Sequence, residues 1–268
     1  ASSKFGANHK WGFFPSVSAA WNVSNEQFMK QITWIDNLKL RLGYGLAGNQ
    51  GGIDSYTTMN LVRPNGVAPV GNSPVVTYET LRNINPDLKW EVKHTFNAGF
   101  DVGFYGNRLL LSVNYYNSKT TDMLYNYRVS VPPFTYNTLL ANIGSMRNSG
   151  TEISVGITPL KTKDMELNIN ANITFQKNKL LSLNGMYNGE YISASEYTVI
   201  AGLDGAGFHG GYNNIVYQIV GQPLGVFYLP HCTGLVPDGN GGYKYEIADL
   251  NGGGVNLEDG EDRYVAGQ

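Results

Sequence analysis

From Trp90 to Phe104 the chain changes character at every residue. Trp90, Val92, His94, Phe96, Ala98, Phe100, Val102 and Phe104 alternate with Glu91, Lys93, Thr95, Asn97, Gly99, Asp101 and Gly103. Strand side chains point to opposite faces in turn, whereas a helix repeats every 3.6 residues. The segment therefore reads as a strand between two different surroundings. It is far longer than the usual strand of about 5–6 residues. Five more segments alternate in the same way: Val17 to Val23, Leu38 to Leu46, Leu109 to Tyr115, Ile153 to Ile157 and Met165 to Phe175. Leu110 is the one misfit in the third of these. The alternation predicts six long strands, with 90–105 antiparallel to 108–117 and 150–159 antiparallel to 165–176.

A soluble antiparallel sheet also alternates, with one face in a core and one in water. Three features favour lipid over a core. The longest strands reach the roughly 9–11 residues that a tilted membrane strand needs. Their polar face carries Gly, Asn, Ser and Thr more than Lys and Glu, a set that suits a crowded aqueous lumen. Trp11, Trp21, Trp90, Phe104, Tyr105, Tyr115 and Tyr116 gather near strand ends, as in the aromatic girdles at membrane interfaces. Charged residues make up 15% of the chain, against about 25% in soluble domains. The formal net charge of −2 carries no basic excess for nucleic acid. No run of about 18 apolar residues offers a transmembrane helix.

Connections alternate in length. Tyr105-Gly106-Asn107-Arg108 is a tight turn favouring positive φ, and Pro159 to Asp164 is a second short link. Residues 26–31 read as one helical turn behind a Ser24 or Asn25 cap. The stretches 50–89, 118–149 and 184–268 read as long loops. Short turns on one side and long loops on the other fit an outer-membrane barrel, with the short side periplasmic. The fold class expected is all-β: an antiparallel up-and-down transmembrane β-barrel, present in part. Residues 1–183 would supply six membrane-spanning strands, and 184–268 a long extracellular loop region.

The segments WGFFPSVSAAWNVSNEQF (11–28) and LKLRLGYGLAGNQ (38–50) resemble the barrel of SusC/RagA-type TonB-dependent outer-membrane transporters of Bacteroidetes. So do NPDLKWEVKHTFNAGFDVGFYGNRLLLSVNYYNSKTTDML (85–124), NIGSMRNSGTEISVGI (142–157) and DLNGGGVNLEDGEDRYVAGQ (249–268). The resemblance implies import of nutrients, oligosaccharide or peptide, across the outer membrane of the bacterium with energy from the TonB complex. It also implies a barrel of about 22 strands around a plug, with a SusD-like surface lipoprotein as lid. Neither a plug nor a TonB box is recognisable here, so the chain is expected to be an internal piece of a larger polypeptide.

No catalytic set emerges. His9, His94, His209 and His231 are scattered, with no His-Glu-x-x-His spacing, and no Gly-x-Ser-x-Gly elbow occurs. No cofactor and no metal is expected. Cys232, the single cysteine, reads as a small packing residue. Asp249-Leu-Asn251-Gly-Gly253-Gly254 partly matches a calcium loop, but glycine stands at the fifth and twelfth positions. A turn held by Asx hydrogen bonds is the simpler reading. For substrate contact the polar-aromatic segment 187–214 stands out, with Tyr191, Tyr197, Asp204, Phe208, His209 and Tyr212. Such rings can stack on a pyranose; they can equally pack the loops together. The alternatives to a transporter are a passive porin, a barrel enzyme and a soluble sugar-binding β-sandwich.

Overall fold

A computed structural model describes residues 1–6, 9–202, 214–258 and 260–267. The chain divides into two units, Ala1–Ser193 and Ala194–Gln268.

The first unit is built on one antiparallel sheet of six strands: β1 (Ser16–Asn22), β2 (Ile35–Asn49), β5 (Glu91–Phe104), β6 (Leu109–Arg128), β7 (Thr138–Lys161) and β8 (Glu166–Ser182), adjacent in that order. A hairpin, β3 (Val62–Val70) and β4 (Ser73–Thr80), lies in the chain between β2 and β5. A second hairpin, β9 (Asn184–Tyr187) with β10 (Glu190–Ser193), follows β8. Both expected long pairings are present, β5 with β6 and β7 with β8. The tight turn at Tyr105, Gly106 and Asn107 has φ of 53°, 68° and 60°. It is held by a 2.9 Å bond from the Asn107 N–H to Asp36.

The register sorts side chains into rows that cross the whole sheet. Trp21, Leu40, Phe100, Val113, Ile153 and Ile173 form one row, and Ala19, Leu42, Ala98, Tyr115, Thr151 and Phe175 the next. Within the unit this face is bare: Leu42 is 57% exposed, Ile173 51% and Phe175 59%. Apolar patches beyond several hundred Å² are rare on soluble proteins and mark a covered surface. At the tight-turn end, Trp34 stacks on Phe104 with ring centroids 5.6 Å apart.

The stretches expected as long loops carry hairpins, β3–β4 within 50–89 and β9–β10 within 184–268, and three further expectations change. The stretch 118–149 is mostly strand, because β6 runs on to Arg128 and β7 starts at Thr138. A bulge at Thr120–Met123, where Asp122 has φ of 54°, breaks the phase of the alternation and hides the extension. The expected helical turn after β1 is two 3-10 turns, Val23–Asn25 and Gln27–Met29, with no side-chain cap. Glu26 between them accepts a 3.0 Å bond from the Trp21 indole. Cys232 is exposed rather than packed.

Buried apolar side chains gather at the long-connection end, where Phe5, Ile53 and Leu88 pack with Trp90, Leu124 and Leu140. Three asparagines dock the chain after β4 against β7. Asn83 bonds the backbone of Thr135, Tyr136 and Thr138, and Asn85 donates to Leu140 O at 2.9 Å. Asn142 accepts from Lys89 N–H at 2.9 Å and donates to Lys89 O and Asp122 O, each at 2.8 Å. Buried backbone groups stripped of such a partner cost about 1–3 kcal/mol. Asn142→Ala is expected to lose about 2 kcal/mol and to speed proteolysis within residues 82–90, read by limited digestion and mass spectrometry.

The second unit holds a four-stranded sheet ordered β11 (Tyr197–Gly202), β12 (Asn214–Ile219), β13 (Val226–Pro230) and β16 (Arg263–Val265). A hairpin of β14 (Cys232–Pro237) and β15 (Tyr243–Ile247) lies between the last two in the chain. Its core is Tyr217, Ile219, Val226 and Tyr228.

Candidate functional site

The face opposite the apolar rows is polar and small. Lys39, Asp101, Ser112, Ser154 and Asn172 form one row; Arg41, Gly99, Asn114, Glu152 and Thr174 form the next. Arg41 Nη2 reaches Asp101 at 2.9 Å, and Ser112 donates to the same carboxylate oxygen at 2.7 Å. Glu91 accepts from Asn49 at 2.6 Å and from Leu124 N–H at 2.8 Å. These contacts tie the charges to neighbouring strands and stiffen the wall.

A shallow depression of about 450 Å³ opens on this face, between Asp101, Ser112, Ser154, Asn170 and Asn172. Its floor explains the misfit Leu110. Leu110 is paired with Gly103 on one side and Gly156 on the other. A Cβ on Gly103 would lie 3.3 Å from the leucine side chain. The leucine thus shares the space that two glycines leave with Asn107 and Asn170, whose side-chain oxygens come nearest to them. Tyr116 covers Gly150 in the same manner, since a Cβ there would sit 2.7 Å from the tyrosine oxygen.

Of the loop residues singled out from the sequence, Tyr191 and Tyr197 are among the described residues. Tyr191 lies on β10 in the first unit and is 66% exposed. Tyr197 lies on β11 in the second unit, stacked on Tyr228 at 5.3 Å. Asp204, Phe208, His209 and Tyr212 fall outside the described residues.

What the sequence reading missed is a buried polar knot in the second unit. Arg263, 5% exposed, lies over the rings of Tyr217 and Tyr228, each centroid 4.5 Å from its guanidinium carbon. It donates to Tyr217 Oη at 2.8 Å, Tyr228 O at 2.6 Å and Asn214 O at 3.2 Å. Beside it Asp262 is fully buried and accepts backbone N–H bonds from Asn256 at 2.7 Å, from Leu250, and from Asn251 at 3.3 Å. In the calcium-like string, Asp249 accepts from Gly252 and Gly254 N–H, and Asn251 from Gly253 N–H. The string is a nest of Asx turns closed on Asp262. Among the described residues no group of three metal-ligating side chains forms.

The Asn256 N–H, ahead of those of Leu250 and Asn251, holds the Asp262 carboxyl below the usual carboxylate range against the opposing pull of burial. A lowered value stabilises the fold above the unfolded aspartate pKa of about 3.9. That contribution is lost as pH falls through the lower folded value. Asp262→Asn is therefore expected to melt below the unaltered protein at neutral pH, and the gap should close in acid below about pH 3.9. Thermal scans across pH check this.

The profile of the family described as TonB-dependent receptor-like, β-barrel, matches residues 1–261. The chain belongs to that family. The TonB-dependent receptor SusC of Bacteroides thetaiotaomicron is 34% identical over 195 residues, which are 71% of this chain and 19% of the relative. The TonB-dependent receptor P39 of Formosa agariphila is 32% identical over 249 residues, 89% of this chain and 21% of the relative. The chain thus spans about a fifth of the length of these curated relatives. Among solved structures it resembles the RagAB peptide transporter, with a TM-score of 0.65 and 26% identity over 87% of this chain and 23% of that one. A closed-closed state of the RagAB peptide importer gives a TM-score of 0.69 and 23% identity over 99% of this chain and 26% of that one. The six-stranded sheet is accordingly a sector of a TonB-dependent barrel of the SusC/RagA type. The bare apolar rows are its outside and the polar rows its lumen.

Proposed function

We infer that this chain is part of the wall of an outer-membrane transporter that imports oligosaccharide or peptide with energy from TonB. The observation that carries the reading is the sheet itself: one apolar face and one face of small polar residues, in a family of TonB-dependent receptors. Peptide cargo gains support from the relative named as a peptide transporter. The SusC name of another relative supports pairing with a SusD-like surface lipoprotein. In this reading the turns at Tyr105–Arg108 and Thr162–Met165 are periplasmic. The hairpin β3–β4, the β6–β7 connection and the region after β8 are extracellular.

Substrate or lid contact is assigned to the segment holding Tyr191, Tyr197, Asp204, Phe208, His209 and Tyr212. Its support is chemical, since a segment that mixes aromatic rings with amides and carboxylates suits both sugars and peptides. On the lumen face Arg41 is paired with Asp101, and the family is one of receptors, so the reading is transport. A passive porin would also have a polar lumen. Uptake of labelled oligosaccharides and peptides, measured with the full-length gene in cells with and without TonB, separates the two. Loss of uptake without TonB is expected; uptake that persists at the same rate overturns active transport.

A further inference from the structure

The outward face does not end the same way at its two ends. Along β8 the outward positions are Leu167, Ile169, Ala171, Ile173 and Phe175, then Lys177 and Lys179. From Leu167 to Phe175 is about 27 Å of strand, or about 21 Å of height at a tilt of about 40°. This nearly fills the roughly 25 Å apolar band of an outer-membrane barrel. The lysines stand at its upper limit, toward the long connections. On the same level, His94 is paired with Lys119, Lys119 with Arg147, and Arg147 with Lys179.

Four adjacent strands therefore hold four basic side chains side by side, with Lys177 one row below. Directly opposed residues have Cβ atoms about 5 Å apart, and like charges so placed are destabilising. No carboxylate lies between them, for every ion pair among the described residues involves other cations. Lys119, Arg147, Lys177 and Lys179 are all exposed. His94 shares a 3.0 Å hydrogen bond with Tyr44 Oη. The tight-turn end of the same face is aromatic instead, with Trp34 on Phe104. Single lysines at a membrane boundary commonly extend toward water. A contiguous row of unneutralised cations repels itself and calls for a counter-anion at that level.

The geometry points to an anionic lipid site: Lys119, Arg147 and Lys179, supported by Lys177 and His94, bind the phosphate groups of a phosphorylated glycolipid of the outer leaflet. The inference rests on the membrane orientation proposed above. Arginine and lysine supply fork-like and point-charge contacts to phosphate. The apolar rows beneath, ending at Phe175 and Phe96, receive the acyl chains. A row about 14 Å wide, three strand spacings, matches a headgroup rather than a single small ion.

The test uses the full-length protein extracted from outer membranes in mild detergent. Copurifying glycolipid is measured by mass spectrometry, and rebinding by the rise in melting temperature with purified monophosphoryl glycolipid. Parallel samples receive phosphatidylethanolamine or inorganic phosphate. The triple variant K119Q/R147Q/K179Q is expected to retain the glycolipid at least roughly tenfold less well, since each interfacial cation contributes appreciably to anionic-lipid binding. K119R/K179R keeps the charges and should behave as the unaltered protein, and the single R147Q should fall between. Equal retention by the triple variant overturns the proposal. So does equal protection by inorganic phosphate, or loss of a protein partner with lipid retention unchanged. Absence of the unaltered protein from the outer-membrane fraction overturns the orientation as well. Correct insertion with indifference to glycolipid overturns this site alone.

Discussion

Ile153→Lys in the full-length protein is expected to block stable assembly in the outer membrane, whereas Ser154→Lys, one residue further on, is expected to be tolerated. Ile153 sits on the fifth of the six strands, between Val113 and Ile173, in the row that faces outward. A lysine near the middle of the apolar band costs about 2–4 kcal/mol, because its charge must be dragged to an interface or buried in hydrocarbon. Ser154 lies between Ser112 and Asn172 on the lumen face, beside the depression, where an ammonium group keeps water and gains Asp101 as a neighbour. Protease-resistant protein in the outer-membrane fraction reads both. If the two variants behave alike, the assignment of faces is wrong, and the alternation of β7 would have to mark a core and not a membrane.

Arg263→Ala is expected to unfold the second unit locally while leaving the six-stranded sheet intact. The guanidinium is clamped between Tyr217 and Tyr228 and donates to three oxygens on β12 and β13. Truncation leaves those acceptors buried and opens a void between two rings. Charged hydrogen bonds of this kind are each worth about 1.5–3 kcal/mol, and desolvated cation–π contacts about 2 kcal/mol. The terms overlap, so a net loss of about 3–5 kcal/mol is the reasonable scale. Arg263→Lys should recover only part of it, for an ammonium cannot span the same oxygens while lying flat on both rings. Hydrogen exchange resolved by segment is the suitable readout. Residues 214–230 and 263–265 should lose protection, and the strands from β5 to β8 should keep theirs.

The parts of this fold that were legible from sequence are those where two solvents meet. Between Trp90 and Phe104, lipid and lumen demand different side chains at every step, so composition records the face. Above the bulge at Thr120–Met123 that demand ends, and the continuation of β6 through Tyr125 and Tyr127 looked like loop. Leu110 breaks the alternation in sequence because the glycines beside it, Gly103 and Gly156, lie on other strands. Asn83, Asn85 and Asn142 act on backbone about 55 residues away in the chain, and no local pattern announces such a bond. The loop aromatics were harder still. A tyrosine that stacks on another tyrosine, as Tyr197 does on Tyr228, has the same sequence signature as one that awaits a sugar.

The length of β7 has one more consequence. Its 24 residues, at about 3.4 Å each and tilted by about 40°, rise about 60 Å, against an apolar band of about 25 Å. More than half of that strand must therefore project beyond the hydrocarbon, and β6 climbs with it. In the orientation inferred above, the rim of the barrel is raised like a turret through the sugar coat of the cell. Whatever approaches this part of the wall from outside is then met well above the bilayer. Height, as well as the chemistry of the loops, decides what this part of the wall encounters first.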